Sequence, residues 1–579
     1  MGDASSKFPY SGMLYRSRLD LGTFDECVEL DVTREGIRVL GKHCVAGLVI
    51  PTKPLGSPDL LEGAHRLSTC LPDKCSAQYL LELANLSFVY PLFNDFSCST
   101  SETGSEFTWD DYVVILFFAL VVLVLLGATA YDWYAVGKRH VLVQAFSMLH
   151  NGRKLLQISR GSSDQVLVIH GLRVISMMWI VAGHSFVSKE DKVDNVEATL
   201  RFQFSRKSFY ITTAYLAVDT FFFLSGFMLP YQYLKAKPQP LKEHVKRVPA
   251  LILHRYVRLT PVAFVAFITF TSVFKHLGNG PLFHLALKQE RDYCLDYWWS
   301  YFTYLQNYVN HQDVCLVHTW YISADWQMFL ISPLILIPVA LAVRRHFKAV
   351  MVGLGVVNVL VAAVPIALKF TFEDYDNAFE THSRLTGYFI GFGLGVFMRE
   401  RSDQKLRCSK LTNAALWAVA LLLLAAATAA YKELQLMIHS EQDQSYSTWV
   451  IVLRSGWCLG LCWVVYACHN GRGGAINWLL TTPLVQVLSK LTYCMYFTHL
   501  SFVLYFNATT RSLKLFSQFG EIWDAISVYM MTMVLSVFAT MAFESPIIVL
   551  EKHLLSGRGL LQAKRTHGFN GPDITNVPQ

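Results

Sequence analysis

A chain of 579 residues that is 53% hydrophobic and only 16% charged is not a soluble protein of ordinary make-up, in which about a quarter of the residues are charged. Its net charge of +7 is not a nucleic-acid signal, because the basic residues sit in short loops beside apolar blocks, where membrane topology places them. No Walker loop, dinucleotide fingerprint or zinc-spaced Cys/His cluster is present.

Residues 1–111 are polar and hold no spanning segment. They carry Cys27, Cys44, Cys70, Cys75 and Cys98, together with one glycosylation sequon at Asn85. Cysteines at this density mark a disulfide-bonded extracellular or lumenal module, of unknown pairing. Such a module needs a signal peptide, and "MGDASSKFPYSG" has no apolar core. An odd cysteine also remains. Two readings stand: the native chain begins upstream and brings another cysteine, or one thiol is free and the first helix translocates the tail.

About eleven apolar blocks follow, near 112–134, 165–187, 208–231, 255–276, 318–343, 349–370, 384–399, 412–431, 448–468, 482–506 and 523–545. Their length of about 20 residues suits a bilayer. The expected fold is therefore an all-α polytopic membrane protein of about 11 transmembrane helices, with a small N-terminal disulfide-rich extracellular module. The first helix (112–134) leads through a cytosolic linker (135–164) to ten helices over 165–550 and a cytosolic tail, 551–579. Acidic residues precede the first block, and Lys138, Arg139, Arg153 and Lys154 follow it, which puts the N-terminus outside. Counting onward places the other basic loops inside. The sequon at Asn507 then falls outside, as does the loop with Cys294 and Cys315, which are expected to pair. The basic loops do not say whether plasma membrane or endoplasmic reticulum is the host.

Ionisable residues inside such blocks cost about 2.5–3.5 kcal/mol each and are functional candidates by default. The second block carries Arg173 and His184, eleven residues apart. That is about three helical turns, so both project from one face. The third block carries Asp219, and the fourth opens on "HRYVRLTP" with Arg255 and Arg258 at the inner surface. Asp325 follows in the fifth, Arg384 begins the seventh, His499 lies in the tenth and Glu544 closes the eleventh. Asp219 and Arg384 suit a structural ion pair. Gly387, Gly391 and Gly395, four residues apart, suit close helix packing.

"HGLRVISMMWIVAGH", "VDTFFFLSGF", "RYVRLTP", "WYISADWQMF", "SRLTGYFIGFGLG" and "LSKLTYCMYFTH" occur in this order. Together they resemble the signature blocks of the membrane acyltransferase type 3 superfamily over about residues 165–550. "DLGTFDEC", "GKHC" and "CLPDKC" in the N-terminal module are similar to the cysteine-rich domain of the nose-resistant-to-fluoxetine family, its animal branch. Many bacterial members have glutamate where this chain has Asp325.

The resemblance implies O-acyl transfer from an acyl-CoA donor on the cytosolic side to a hydroxyl acceptor (lipid, sugar or small molecule) outside, with membrane lipids as surroundings, and without a bound cofactor, metal or nucleic acid. Histidine suits the base at neutral pH. The expected roles are His184 as general base, Asp325 as its orienting partner and Arg173 as donor-binding or charge-stabilising group. Arg255 and Arg258 would meet the donor's phosphates. Asp219, Ser225, Trp320, Arg384 and His499 would support the substrates. The animal branch is usually described as handling lipids or taking up small hydrophobic molecules, so a non-catalytic transporter remains the alternative. The same polar groups would then line a conduit.

Overall fold

The computed structural model describes residues 1, 3–7, 19–48, 65–76, 97–103, 106–134, 137, 140–159, 165–189, 192–371, 379–402, 409–437 and 444–557. The N-terminal region is built on a sheet rather than on helices. Strands β1 (Leu19–Asp20), β2 (Asp31–Arg34), β3 (Ile37–Leu48) and β4 (His65–Pro72) run in the order β1-β4-β3-β2, and β5 (Cys98–Ser99) adds to β3. The β2–β3 hairpin turns through Glu35 and Gly36 at positive φ, the left-handed pair that matches strand twist. A sheet this small buries little, and cross-links compensate by restricting the unfolded chain. Cys27–Cys70 joins the short helix Phe24–Val28 to β4, and Cys44–Cys98 joins β3 to β5. Cys75 is the thiol without a disulfide partner among the module's five. Asn85 lies outside the described residues.

The rest is helical. The principal helices are α1 (Trp109–Tyr134), α2 (Val168–Val187), α3 (Tyr215–Tyr233), α4 (Leu241–Thr271), α5 (Trp320–Ile331), α6 (Pro333–Ala342) and α7 (Phe347–Thr371). They continue with α8 (Leu385–Glu400), α9 (Lys410–Met437), α10 (Gln444–His469), α11 (Thr492–Ala508) and α12 (Gln518–Ala539). Each apolar block of the sequence coincides with one or two of them. Among the described residues seven helices are long and apolar enough to cross a membrane, and an eighth if α5 and α6 form one span bent by 42°. The other three are α2, α8 and α11. The last two are short, at 16 and 17 residues. α2 carries polar groups because other helices surround it: twelve of its 20 residues are buried. By contrast, the most apolar helix, α1, is 6% buried over its apolar window and presents its side chains outward. It is tied to the bundle near its ends, where Asp111 meets Lys275 (2.8 Å) and His276 (3.0 Å) and Asp132 accepts from Ser147 (2.7 Å).

Several boundaries differ from those expected. α4 begins at Leu241, so Arg255 and Arg258 stand mid-helix rather than at its opening. Its first turns are too basic to read as a membrane block, yet they continue the same helix. The 318–343 block breaks at Ser332, where Pro333 starts a new helix. The 482–506 block divides into Pro483–Ser489 and α11. After α12 the chain makes one π turn, Thr540–Glu544, a feature frequent at functional sites.

The glycine stripe does what its spacing suggests. α8 lies against α3 so closely that a Cβ at Gly391 or Gly395 would strike the carbonyl of Phe223 or Phe227. Gly226 of α3 meets the Tyr388 carbonyl in the same way.

Candidate active site

α2 is held at both ends by close backbone approach: a Cβ at Gly171 would collide with Leu480 and one at Gly183 with Ala214. This fixes where Arg173 and His184 point, about 16 Å apart along the axis at 1.5 Å per residue. His184 Nδ1 lies 2.9 Å from His499 Nε2 on α11, with the ring planes 8° apart. His499 Nδ1 faces two backbone carbonyls, Tyr496 at 2.8 Å and Met495 at 3.2 Å. Carbonyl oxygens only accept, so this nitrogen carries the proton. In the neutral ring His499 Nε2 is then an acceptor, and His184 Nδ1 is the donor to it. The lone pair of His184 is thereby placed on Nε2. No described protein group bonds that atom, and the side chain is half-buried.

The orienting partner of His184 is therefore His499. The expectation that Asp325 plays this part is corrected: its carboxylate is paired with Arg255 and the His184 Nδ1 is taken by His499. Arg255 also donates to Ser225 Oγ (3.1 Å) and lies over the Phe329 ring, 4.4 Å from its centre. It is thus part of the bundle interior and not an inner-surface anchor. Arg258, three residues on, is exposed.

A third histidine escaped the sequence reading. His318, buried immediately before α5, sets its ring edge-on to His499 at 5.1 Å between centres. Tyr496 Oη donates to the His318 carbonyl. Its position at the head of the "HTWYISADW" block was the available signal. Among the described residues no group of three or more His, Cys, Asp or Glu is arranged to hold a metal ion.

Arg173 has no hydrogen-bonded or ion-paired partner among the described residues. It lies within electrostatic range of Arg258, Tyr321 and Glu544, and the π turn presents Glu544 to that region. Tyr321 in turn faces Asp325 and Arg255. The polar groups form a track: the histidines, then Tyr321, then Arg173 with the Arg255–Asp325 pair, then Arg258 and Glu544.

Asp219 is separate from this track. Both its oxygens lie 3.2 Å from Arg384 Nη1, and Arg454 Nε stands 3.6 Å away. All three are buried. The Arg384 guanidinium also lies over Trp320, at 5.2 Å. The ion pair read from the sequence is present, and Arg454, inside an otherwise apolar stretch of α10, is its unforeseen third member. Cys294 and Cys315 form the expected disulfide. Asn507 is buried, and its Nδ2, the atom a glycan would occupy, donates to the Ser188 carbonyl at 3.2 Å; glycosylation there would break this bond.

Comparison with known proteins agrees with the motifs. The acyltransferase domain family matches residues 166–541, and the family described as nose resistant-to-fluoxetine protein, N-terminal domain, matches residues 1–84. The nose resistant to fluoxetine protein 6 of Caenorhabditis elegans is 25% identical over all of this chain and 80% of its own length. The regulator of hypoxia-inducible factor 1 of the same organism is 22% identical over 34% of this chain and 38% of its own length. No solved structure matches.

Proposed function

The chain belongs to the membrane acyltransferase family, in its nose-resistant-to-fluoxetine branch, and from that premise we propose that it is an O-acyltransferase working across the bilayer. The donor is an acyl-CoA on the cytosolic side and the acceptor a hydroxyl on the other. His184 Nε2 takes the hydroxyl proton, and the oxygen attacks the thioester carbonyl. The carbon–sulfur bond breaks, and the CoA thiolate leaves and is protonated, so an ester and free thiol result. His499 positions His184 and stabilises its charged form, the part a carboxylate plays in other acyl-transfer sites. Arg173 and Arg258 bind the donor's negative charge. Arg255, held by Asp325, lines the donor's path.

The observation that carries this reading is the free Nε2 of His184, fixed as acceptor by the hydrogen bonds behind it. The reading also takes all eleven blocks as spans, with the N-terminal module outside and the C-terminus cytosolic, in plasma membrane or endoplasmic reticulum. The three disulfides support this, since all lie at the end of the bundle where α2 finishes, as an oxidising compartment requires.

The polar track equally favours a second reading, a conduit for lipids or small hydrophobic molecules without catalysis. Purified protein in liposomes with radiolabelled acyl-CoA and a mixture of lipid and sugar acceptors separates them. Transfer by the wild type and not by His184→Ala supports the enzyme. Uptake without acyl-CoA consumption by either supports the conduit.

A further inference from the structure

One helical turn beyond the histidine pair, at the end of the bundle where the N-terminal module docks, the protein forms a partly open cleft of about 500 Å³. Val503, one turn after His499 on α11, and Ser185, next to His184 on α2, form its floor. Ser185 Oγ is buried and has no hydrogen-bond partner among the described residues. An unsatisfied buried hydroxyl is costly and asks for a ligand or water. Along one wall Lys189 is held by Glu521 (3.2 Å) and Asp524 (2.6 Å), so a charged and hydrogen-bonding edge is fixed in place. Along the other stand Phe506, Phe519 and Trp523.

Part of the cavity wall is supplied by the module itself. Leu21, just after β1, lines the cavity, while Leu19 and Val45 pack with it against Leu282 and Leu513 of the membrane domain. Arg511 secures the contact by pairing with Asp25 (2.9 Å and 3.0 Å) and by donating to the Asn279 carbonyl (2.6 Å).

We infer that this cavity is the acceptor's binding site and that the N-terminal module completes it, selecting a hydroxyl-bearing amphiphile. A head with more than one hydroxyl bonds Ser185 and the Lys189–Glu521–Asp524 edge and leaves the reacting hydroxyl for His184, which adjoins Ser185 in the chain but does not itself line the cavity. The apolar part lies against the aromatic wall. Ligand sites of this volume, largely apolar with a few convergent polar groups, are of the ordinary kind for small molecules. The inference rests on the acyl-transfer reading for its direction toward His184, but binding itself does not.

The test uses the full chain in nanodiscs with monooleoylglycerol as probe. In a Cys75→Ser background, Thr510→Cys places a thiol in the cavity, and its labelling by a membrane-impermeant maleimide is followed. Monooleoylglycerol slows labelling several-fold, and adding Leu21→Trp, which fills the cavity from the module side, abolishes the protection. In transfer assays Leu21→Trp and Phe519→Ala raise KM for monooleoylglycerol about tenfold and leave KM for acyl-CoA unchanged, the pattern of lost acceptor binding. Phe519 is 78% exposed, so its truncation does not endanger the fold. Protection without turnover keeps the binding site and removes the transferase reading. Turnover by the wild type without protection, and with an unchanged KM in both variants, overturns the inference and leaves that reading intact.

Discussion

Two buried polar clusters stand side by side in the outer half of the bundle, each made of three side chains from three parts of the chain. In one, Asp219 of α3 faces Arg384 and Arg454. In the other, His184 of α2 bonds to His499 of α11, with His318 against it. The first turns inward: its carboxylate is met by two guanidiniums, an excess of one positive charge. The second turns outward: its hydrogen bonds run from backbone carbonyls through His499 to His184 and stop there, at a nitrogen with a lone pair. Burial of an ionisable group is common to both and decides nothing. What separates the two is the kind of atom they end on: the first ends on guanidinium donors, which do not take up a proton, and the second on an imidazole lone pair, which does.

The contrast is broken most severely at Asp219. Asp219→Asn leaves two buried guanidiniums without a countercharge and is expected to cost about 3–5 kcal/mol of stability, seen as loss of folded protein and a lowered Tm in detergent. A variant as stable as wild type would show that the cluster is not structural. The opposite pattern is expected at His184. His184→Ala lowers acyl transfer by about 10²–10⁴-fold while Tm falls less than in Asp219→Asn, because the acceptor it leaves unpaired, His499 Nε2, is uncharged.

Smaller effects sharpen the comparison. Gly391→Ala forces α3 and α8 apart and is expected to cost about 1–3 kcal/mol in thermal unfolding, with the transfer rate per folded molecule unchanged. Asp325→Asn weakens the hold on Arg255 and is expected to raise KM for acyl-CoA about tenfold, the scale of one charged hydrogen bond, with kcat little altered. A fall in kcat at constant KM would instead restore Asp325 as the support of His184.

Much of this was legible in the sequence, and the misses have a common cause. Apolar length found the principal helices, because a bilayer demands about 20 apolar residues whatever the tertiary contacts, although among the described residues seven are long and apolar enough to cross one, or eight with α5 and α6 as one span. The Gly387–Gly391–Gly395 stripe and the Asp219–Arg384 pair were legible because small-residue spacing and opposite charge each imply a neighbour. The partner of His184 was not. Asp325 and His499 both lie on helices near α2, and which one reaches it depends on helix rotation, which periodicity does not report in segments apolar on all sides. His318 and Arg454 were hidden in the same way, the first in the 3-10 turn that leads into α5 and the second within "IVLRSGW". The sheet of the N-terminal module was also missed, because its long strands β3 and β4 pair across a separation that no local pattern encodes.

The central claim is that His499 acts only through His184. Initial rates of acyl transfer by His184→Ala, His499→Ala and the double variant, at matched amounts of folded protein in liposomes, test it most directly. Residues that act as a unit are non-additive. The account predicts that His499→Ala alone is impaired and that the double variant is no slower than His184→Ala. Losses that multiply would show two independent contributions and contradict the arrangement in which His499 fixes His184 as the base.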